Sequence, residues 1–351
     1  YLTNNFFGSN LKYITMNGKK STPAIISGTT HHVYAEKVAN IIGRPLIKRD
    51  IKVFPNGEID VNILETVAGQ DVFIIQTSLT SKVNDNFIET ILLADALIRA
   101  RVHSVTLIQL CFPYARKDRR EIDEDTQREK RCPISAKVMA DTYQAVGINR
   151  VVAFHVHAPQ ITGFFSNSSP CENIVPFRVF AEYLEKEGWV NENTVMAGPD
   201  IGSAKQTDSA SNIMSLELAL IHKSRKGSYV NMDRLSVIGE VKGKNVAMYD
   251  DIIDSGGTAI LAAQKLKSAG ALKIILLSTH AVFSGDAVEK LANSVFEKIV
   301  VTDSIPNSDI LKYPDKFVVL STVEMTAGII ANLFNDESLE EIVKFKIDKS
   351  I

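Results

Sequence analysis

The chain of 351 residues has few of the features that mark membrane, secreted or nucleic-acid-binding proteins. No apolar run approaches the roughly 20 residues of a membrane-spanning helix, and the N-terminus lacks the basic-then-apolar order of a secretory signal. The 39 basic and 41 acidic side chains nearly cancel, so they give no general attraction to nucleic acid or acidic membranes. We therefore expect a soluble, cytoplasmic protein with no nucleic-acid and no membrane partner, and we assign no role to residues 1–19.

Cysteine is also scarce. Cys111, Cys132 and Cys171 have no metal-binding spacing and do not form an even set for disulfides, which favours a reducing compartment. The hydrophobic content of 45% is ordinary, and at this length it is enough for two cores.

The most informative segment is VAMYDDIIDSGGTAILAAQKL, residues 246–266. It predicts a buried strand that ends at Asp250 and Asp251, a tight turn at the glycine pair 256–257, and a helix capped by Thr258. Such a turn directs backbone N–H groups at an anion, and the carboxylates suit sugar hydroxyls or a magnesium ion. The pattern indicates a sugar phosphate site, although the same residues also fit a strand-to-helix turn that only bends and caps.

An internal repeat predicts the architecture. The same shift of 123 residues separates Gly147 from Gly270 and His157 from His280. Each copy indicates a helix, a glycine at its end, a buried strand and a His-Ala pair. We predict an α/β fold with two related lobes, each a mostly parallel sheet flanked by helices, and ligands at the carboxyl ends of the strands.

A second phosphate-binding pattern lies in the first half of the chain, in PYARKDRR at 113–120. Its cations Arg116, Lys117, Arg119 and Arg120 follow a predicted strand, where a polyanion would meet them. A solvated basic stretch, offset by the acidic residues that follow, explains the charges equally well. The segment EIDEDTQREKR at 121–131 has no apolar period and is expected to be a mobile loop.

Motifs along the chain follow the order found in ribose-phosphate diphosphokinases, also called phosphoribosyl-diphosphate synthetases. The resemblance runs from about residue 20 to about residue 335 and rests on FPNGE (54–58), YARKDRR (114–120), PISAK (133–137), HVHAPQITGFF (155–165), GPD (198–200), K-x-R (223–225), DDIIDSGGT (250–258) and THAVFSG (279–285). It implies two lobes of the phosphoribosyltransferase type I fold. We place them at 20–166 and 167–305, with a C-terminal segment, 306–351, that crosses between them.

The resemblance implies an activity: transfer of the diphosphoryl group of ATP to the C1 hydroxyl of ribose 5-phosphate, with Mg²⁺ as cofactor. It implies that Asp250 and Asp251 face the ribose or its metal ion. The implied 5-phosphate ligands are Asp254, Ser255, Gly256, Gly257 and Thr258.

The same resemblance assigns the nucleotide site. Lys223 and Arg225 are the implied catalytic residues, and His157 and Asp200 occupy metal-site positions. The implied ATP ligands are Phe54, Asn56, Glu58, Arg116, Lys117, Asp118 and Arg119. In the family the FPNGE loop reaches a neighbouring subunit, so we expect a homo-oligomer built of dimers, with a hexamer as one form.

Some residues depart from the family pattern and leave alternatives open. Lys117 stands where Gln is usual, Asn56 where Asp is usual, and Val323 where a regulatory-site serine is common. A non-catalytic, synthetase-associated regulatory homologue is therefore the alternative function. A phosphoribosyltransferase is weaker, because it gives no role to PYARKD. For Phe54 and His157 the alternative is an ordinary core position.

Overall fold

The computed structural model describes residues 22–123, 126–223 and 235–345. Within them the chain forms two compact units. The first comprises residues 22–175 together with Thr322–Val343, and the second comprises Pro176–Ser321. Each contains a mostly parallel sheet flanked by helices, which confirms the predicted α/β class.

The strands in the described residues are mostly short and apolar. They are β1 (Ala24–Ser27), β2 (Arg49–Val53), β3 (Ile59–Ile63), β4 (Asp71–Gln76), β5 (Ser104–Gln109), β6 (Arg150–Phe154), β7 (Cys171–Ile174), β8 (Thr194–Gly198), β9 (Glu217–Lys223), β10 (Leu235–Ile238), β11 (Asn245–Ile253), β12 (Ile274–Ala281), β13 (Lys298–Thr302) and β14 (Phe317–Leu320).

The helices connect and cover these strands. They are α1 (His32–Ile42), α2 (Val83–Arg99), α3 (Ser135–Ala145), α4 (Phe177–Lys186), α5 (Ala204–Met214), α6 (Gly257–Ser268), α7 (Ala287–Ala292), α8 (Val323–Phe334) and α9 (Glu340–Val343), with 3-10 turns at Pro159–Phe164 and Asp309–Lys312.

The first unit contains a parallel sheet in the order β1-β4-β5-β6-β7 and a separate antiparallel hairpin of β2 and β3. Its C-terminal helix α8 packs against α1, and the buried Tyr34 hydroxyl lies 2.8 Å from Thr322 Oγ1 and 2.6 Å from Thr326 Oγ1. These contacts explain why the chain after residue 321 belongs to the first unit.

The second unit contains a sheet in the order β10-β9-β8-β11-β12-β13-β14, parallel except for the β9–β10 pair. All eight residues of β12 are buried, as expected for a strand covered on both faces. One face forms a continuous apolar row in which Val246 and Met248 of β11 pair with Ile274 and Leu276 of β12.

The predicted repeat is present as a helix, a glycine and a strand in each unit. Gly147 follows α3 and Gly270 follows α6, and both have φ of +97°. The N–H of the next residue reaches back five residues in each copy: Ile148 donates to the Tyr143 carbonyl at 3.2 Å, and Ala271 donates to that of Leu266 at 3.1 Å. Only glycine adopts this left-handed conformation readily, which is why it ends both helices.

The units divide the chain at different points from those expected. Strand β7, placed by the sequence in the second lobe, pairs with β6 in the first unit's sheet. The C-terminal segment is itself divided, because β14 belongs to the second sheet while α8 and α9 belong to the first unit.

Candidate active site

Carboxylates gather at the carboxyl edge of the second sheet. Asp250 and Asp251 lie in the last part of β11, and Asp200 follows β8, the neighbouring strand. Ala197 of β8 pairs with Met248 of β11, so both strands deliver their acidic residues at the same level. The structure therefore brings these three predicted residues together.

The electrostatics of this edge favour a ligand that compensates negative charge. Burial raises the pKa of the Asp250 carboxyl well above its ordinary value, and the negative charge of Asp251 and then of Asp200 raises it further. The N–H of Asp251 donates to Asp250 Oδ1 at 3.0 Å, which acts in the opposite direction. A cation or sugar hydroxyls would relieve the repulsion between these carboxylates.

A glycine-containing turn follows the carboxylates. Gly256 has φ of +74°, and an ideal Cβ there would lie 3.0 Å from Leu291 Cγ, so the backbone and the packing both favour glycine. Helix α6 begins at the next residue, Gly257. The turn is fixed on its other side, where the Ser284 N–H donates to the Asp254 carbonyl at 3.1 Å.

The predicted cap of this helix is wrong. The cap residue is Gly256, and Thr258 is already the second residue of α6. Because glycine has no side chain, it cannot accept a hydrogen bond from the first N–H groups of the helix. Those donors are the groups that an incoming phosphate would need.

Asp200 is held by the turn that leads into α5. Its Oδ1 accepts the Ser203 N–H at 3.0 Å, and its carbonyl accepts the Ser203 hydroxyl at 2.8 Å. An ideal Cβ on Gly198, just before this turn, would lie 2.5 Å from Ser203 Oγ. The glycine of the GPD motif is thus required by close packing next to Asp200.

The predicted catalytic pair lies largely beyond the described part of the chain. Strand β9 pairs with β8 through Leu220 and Gly198 and continues to Lys223, so the backbone of that residue reaches the same sheet edge as Asp200. The side chain of Lys223 and the whole of Arg225 lie outside the described residues.

The nucleotide motif of the first unit follows β5. Arg116, Lys117 and Arg119 are exposed, and Lys117 forms an ion pair with Glu121, whose hydrogen bond raises the pKa of the Lys117 ammonium. Asp118 differs from its neighbours, because it is buried and accepts a hydrogen bond from Gln160 Nε2.

The segment after this motif has more regular pairing than expected. The sequence predicts a mobile loop at 121–131, yet Ile122 and Glu129 form an antiparallel bridge. The Lys130 N–H donates to the Glu121 carbonyl at 2.8 Å, and Arg120 pairs with Glu129 at 3.2 Å. The opposite charges within this polar segment thus pair with each other.

Phe54 and His157 are both exposed, which excludes the alternative that they are ordinary core residues. His157 is exposed, and the buried histidine of its motif is His155. Phe54 is 49% exposed at the tip of the β2–β3 hairpin. Next to it, Asn56 Nδ2 donates to Glu58 Oε2 at 2.9 Å, while the Glu58 N–H donates to Asn56 Oδ1 at 3.2 Å.

These contacts do not test two predictions that combine residues of both units. His157 belongs to the first unit and Asp200 to the second, and the predicted ATP ligands likewise belong to the first unit and the sugar loop to the second. Among the described residues no cluster of three or more His, Cys, Asp and Glu side chains is arranged to hold a metal ion. The same residues include no helix that is long and apolar enough to span a membrane.

Sequence reasoning gave no role to three residues that contact or border these motifs. Gln160 bonds Asp118, Glu121 pairs with Lys117, and Ser278 of β12 pairs in register with Asp250. The first two stood in segments already singled out. Nothing in the sequence distinguishes Ser278, because its neighbour across the sheet is set by strand order.

Parallel sheets with strand-end carboxylates and a glycine-containing turn at a helix start define a sugar-phosphate-binding protein of the phosphoribosyltransferase type. Two family models match the chain: the N-terminal domain of ribose phosphate pyrophosphokinase over residues 23–147, and the phosphoribosyl synthetase-associated domain over residues 231–344. The chain belongs to the ribose-phosphate pyrophosphokinase family, the enzyme also called ribose-phosphate diphosphokinase.

Individual relatives agree over nearly the whole chain. The ribose-phosphate pyrophosphokinase of Helicobacter pylori is 36% identical over 318 residues, which cover 91% of this chain and 95% of that protein. The Campylobacter jejuni enzyme of the same name is 37% identical, with 91% and 98% covered. The crystal structure of phosphoribosylpyrophosphate synthetase from Mycobacterium smegmatis matches with a TM-score of 0.81 at 30% identity, covering 90% of this chain and 100% of that one.

Proposed function

We propose that the chain is an active ribose-phosphate diphosphokinase, which transfers the diphosphoryl group of ATP to the C1 hydroxyl of ribose 5-phosphate and releases AMP. The observation that carries this proposal is the carboxyl edge of the second sheet, where Asp200, Asp250 and Asp251 gather and the Gly256 turn follows. The family relatives named for this activity support it over most of their length.

The residues of the second unit bind ribose 5-phosphate through two kinds of contact, one to the phosphate and one to the ribose hydroxyls. The N–H groups at the start of α6 and the Asp254–Thr258 turn bind the 5-phosphate, because the positive helix end attracts an anion. Asp250 and Asp251 accept hydrogen bonds from the ribose hydroxyls. This arrangement holds the sugar at both ends and leaves C1 to react.

The residues of the first unit bind ATP. Arg116, Lys117 and Arg119 are exposed cations that bind its phosphates, and the hydrogen bond between Asp118 and Gln160 fixes the loop that carries them. Phe54, Asn56 and Glu58 contact the base. The exposure of Phe54 at a hairpin tip supports a homo-oligomer of dimers, in which the tip meets a partner's site.

Transfer itself depends on positioning and on neutralising charge. Lys223 and Arg225 stabilise the negative charge on the β-phosphoryl group as its bond to AMP breaks. Oxygen ligands such as Asp200, Asp250 and Asp251 suit Mg²⁺, which usually takes one or two protein carboxylates together with substrate phosphates and water. Mg²⁺, when bound, neutralises phosphate charge, and His157 is the ligand proposed from the first unit. The proposed compartment is the cytoplasm.

A product assay tests the proposal against its alternatives. The purified protein with ATP, Mg²⁺ and ribose 5-phosphate should form AMP and 5-phosphoribosyl 1-diphosphate in equal amounts, and neither product should form without the sugar. A regulatory homologue would form neither product. A phosphoribosyltransferase would consume added 5-phosphoribosyl 1-diphosphate only when a base is supplied.

A further inference from the structure

One buried hydroxyl next to the sugar site has no explained role. Ser278 lies on β12 and pairs in register with Asp250 on β11. Paired residues of parallel strands project their side chains to the same face of the sheet, and the two strands are only about 4.8 Å apart. Ser278 therefore shares a face and a sheet level with the carboxylate that is proposed to bind ribose.

The surroundings of Ser278 are otherwise apolar. It continues the row of Ile274 and Leu276 on β12, and on its other side it pairs with Val301 of β13. Its side chain has no exposed surface, and Ser278 Oγ has no hydrogen-bond partner among the described residues. A buried hydroxyl without a partner lowers stability, so its presence at this position calls for a use.

The Asp250 carboxyl is the group that can use this donor. In the structure its Oδ1 accepts the main-chain N–H of Asp251 at 3.0 Å, and the negative charge of Asp251 lies close to it. A carboxylate can accept several hydrogen bonds, so a second donor would fix its orientation when it binds the sugar. Ser278 stands beside it with a hydroxyl proton to donate.

We propose that Ser278 is a positioning residue of the sugar site, whose hydroxyl donates a hydrogen bond to the Asp250 carboxylate when that carboxylate binds ribose hydroxyls. This inference rests on the proposed function. It gives Ser278 no contact with the substrate, and its effect passes through Asp250 alone.

The test begins with Ser278→Ala, which removes the hydroxyl with little change in volume. We expect the affinity for ribose 5-phosphate, measured by calorimetry without turnover, to fall about tenfold or more, as for the loss of a hydrogen bond to a charged group. The KM for ATP should stay within about twofold, and the melting temperature should not fall, because the hydroxyl has no partner to lose. Unchanged sugar affinity would overturn the proposal.

A matched control is Ser304→Ala. The hydroxyl of Ser304 is buried at the same sheet edge but is bonded, at 2.9 Å, to both the Thr279 carbonyl and His280 Nδ1. Removing it should lower the melting temperature, in contrast to Ser278→Ala. An equal loss of stability in both variants would contradict the view that Ser278 is held ready for a ligand-bound state.

A double-mutant cycle decides whether Ser278 acts through Asp250. In an Asp250→Ala background, Ser278→Ala should change sugar affinity by less than about twofold, because no side-chain acceptor for the hydroxyl remains at position 250. If the two substitutions lower sugar affinity independently, so that their fold-losses multiply in the double variant, the proposal would be overturned. A parent protein that binds ribose 5-phosphate but forms no AMP would refute the proposed function and leave this binding test intact.

Discussion

Gly256→Ala is the change that most directly probes the turn before α6, and Gly243→Ala is its matched control. The two glycines have nearly identical φ angles, +74° at Gly256 and +73° at Gly243. An alanine at either position adopts a left-handed conformation, which costs about 1–2 kcal/mol. The control therefore measures the backbone contribution alone, because an ideal Cβ at Gly243 meets nothing within 4 Å.

At Gly256 a packing contribution is added. The new Cβ would lie 3.0 Å from Leu291 Cγ and 3.2 Å from both of its methyl carbons, and Leu291 is fully buried in the core of the second unit. Overpacking of this kind costs about 1–3 kcal/mol. We expect Gly256→Ala to lower the free energy of unfolding by about 2–5 kcal/mol, and Gly243→Ala by about 1–2 kcal/mol.

Gly256→Ala should also weaken binding of the 5-phosphate. If the first turn of α6 moves to relieve the contact with Leu291, its N–H groups lose their alignment with the 5-phosphate, and the KM for ribose 5-phosphate should rise about tenfold. Denaturant unfolding and steady-state kinetics of both variants provide the measurement. Equal stability losses, or an unchanged KM for the sugar in Gly256→Ala, would refute the reasoning.

Three further predictions concern individual side chains. Burial and the charge of Asp251 raise the pKa of Asp250, so the folded state favours the protonated form of this carboxyl. The stability that this preference provides is lost as the pH rises from about 4 through the raised pKa. Without divalent cations, Asp250→Asn should therefore unfold at higher denaturant than the parent near pH 7 but not at about pH 3. Gln160→Ala removes a donor to the buried Asp118 and should raise the KM for ATP severalfold with little effect on the sugar, and an unchanged KM for ATP would count against this role. Lys223→Ala should lower turnover by about 100-fold or more with modest changes in substrate affinity, whereas Ser224→Ala should leave turnover nearly unchanged. Comparable turnover in the two variants would mean that the segment containing Lys223 is an ordinary linker without a catalytic role.

The sequence predicts the elements that rest on local patterns. The strand, the turn and the helix around 250–258 occur in the predicted order, because an apolar run, a glycine and a periodic helix each act over a few residues. The predicted strand end is wrong by two residues, since β11 continues past Asp251 to Ile253. The repeat around Gly147 and Gly270 is predictable for the same reason, since a left-handed residue at the end of a helix favours glycine.

The features that sequence reasoning missed depend on packing between distant segments. Gly256 caps α6 in place of Thr258, and Leu291, on another helix, fills the space that a side chain at position 256 would need. The grouping of α8 with the first unit rests on Tyr34, far away in sequence, and the proximity of Ser278 to Asp250 rests on strand order. Local composition records none of these relationships.

The fate of the terminal phosphate of ATP tests the proposed reaction most directly. With γ-labelled ATP, Mg²⁺ and ribose 5-phosphate, diphosphoryl transfer predicts that the label appears in 5-phosphoribosyl 1-diphosphate while unlabelled AMP accumulates at the same rate. Omitting the sugar should stop both. Formation of ADP with a singly phosphorylated sugar product, or release of the label as free phosphate, would contradict transfer of the diphosphoryl group to C1.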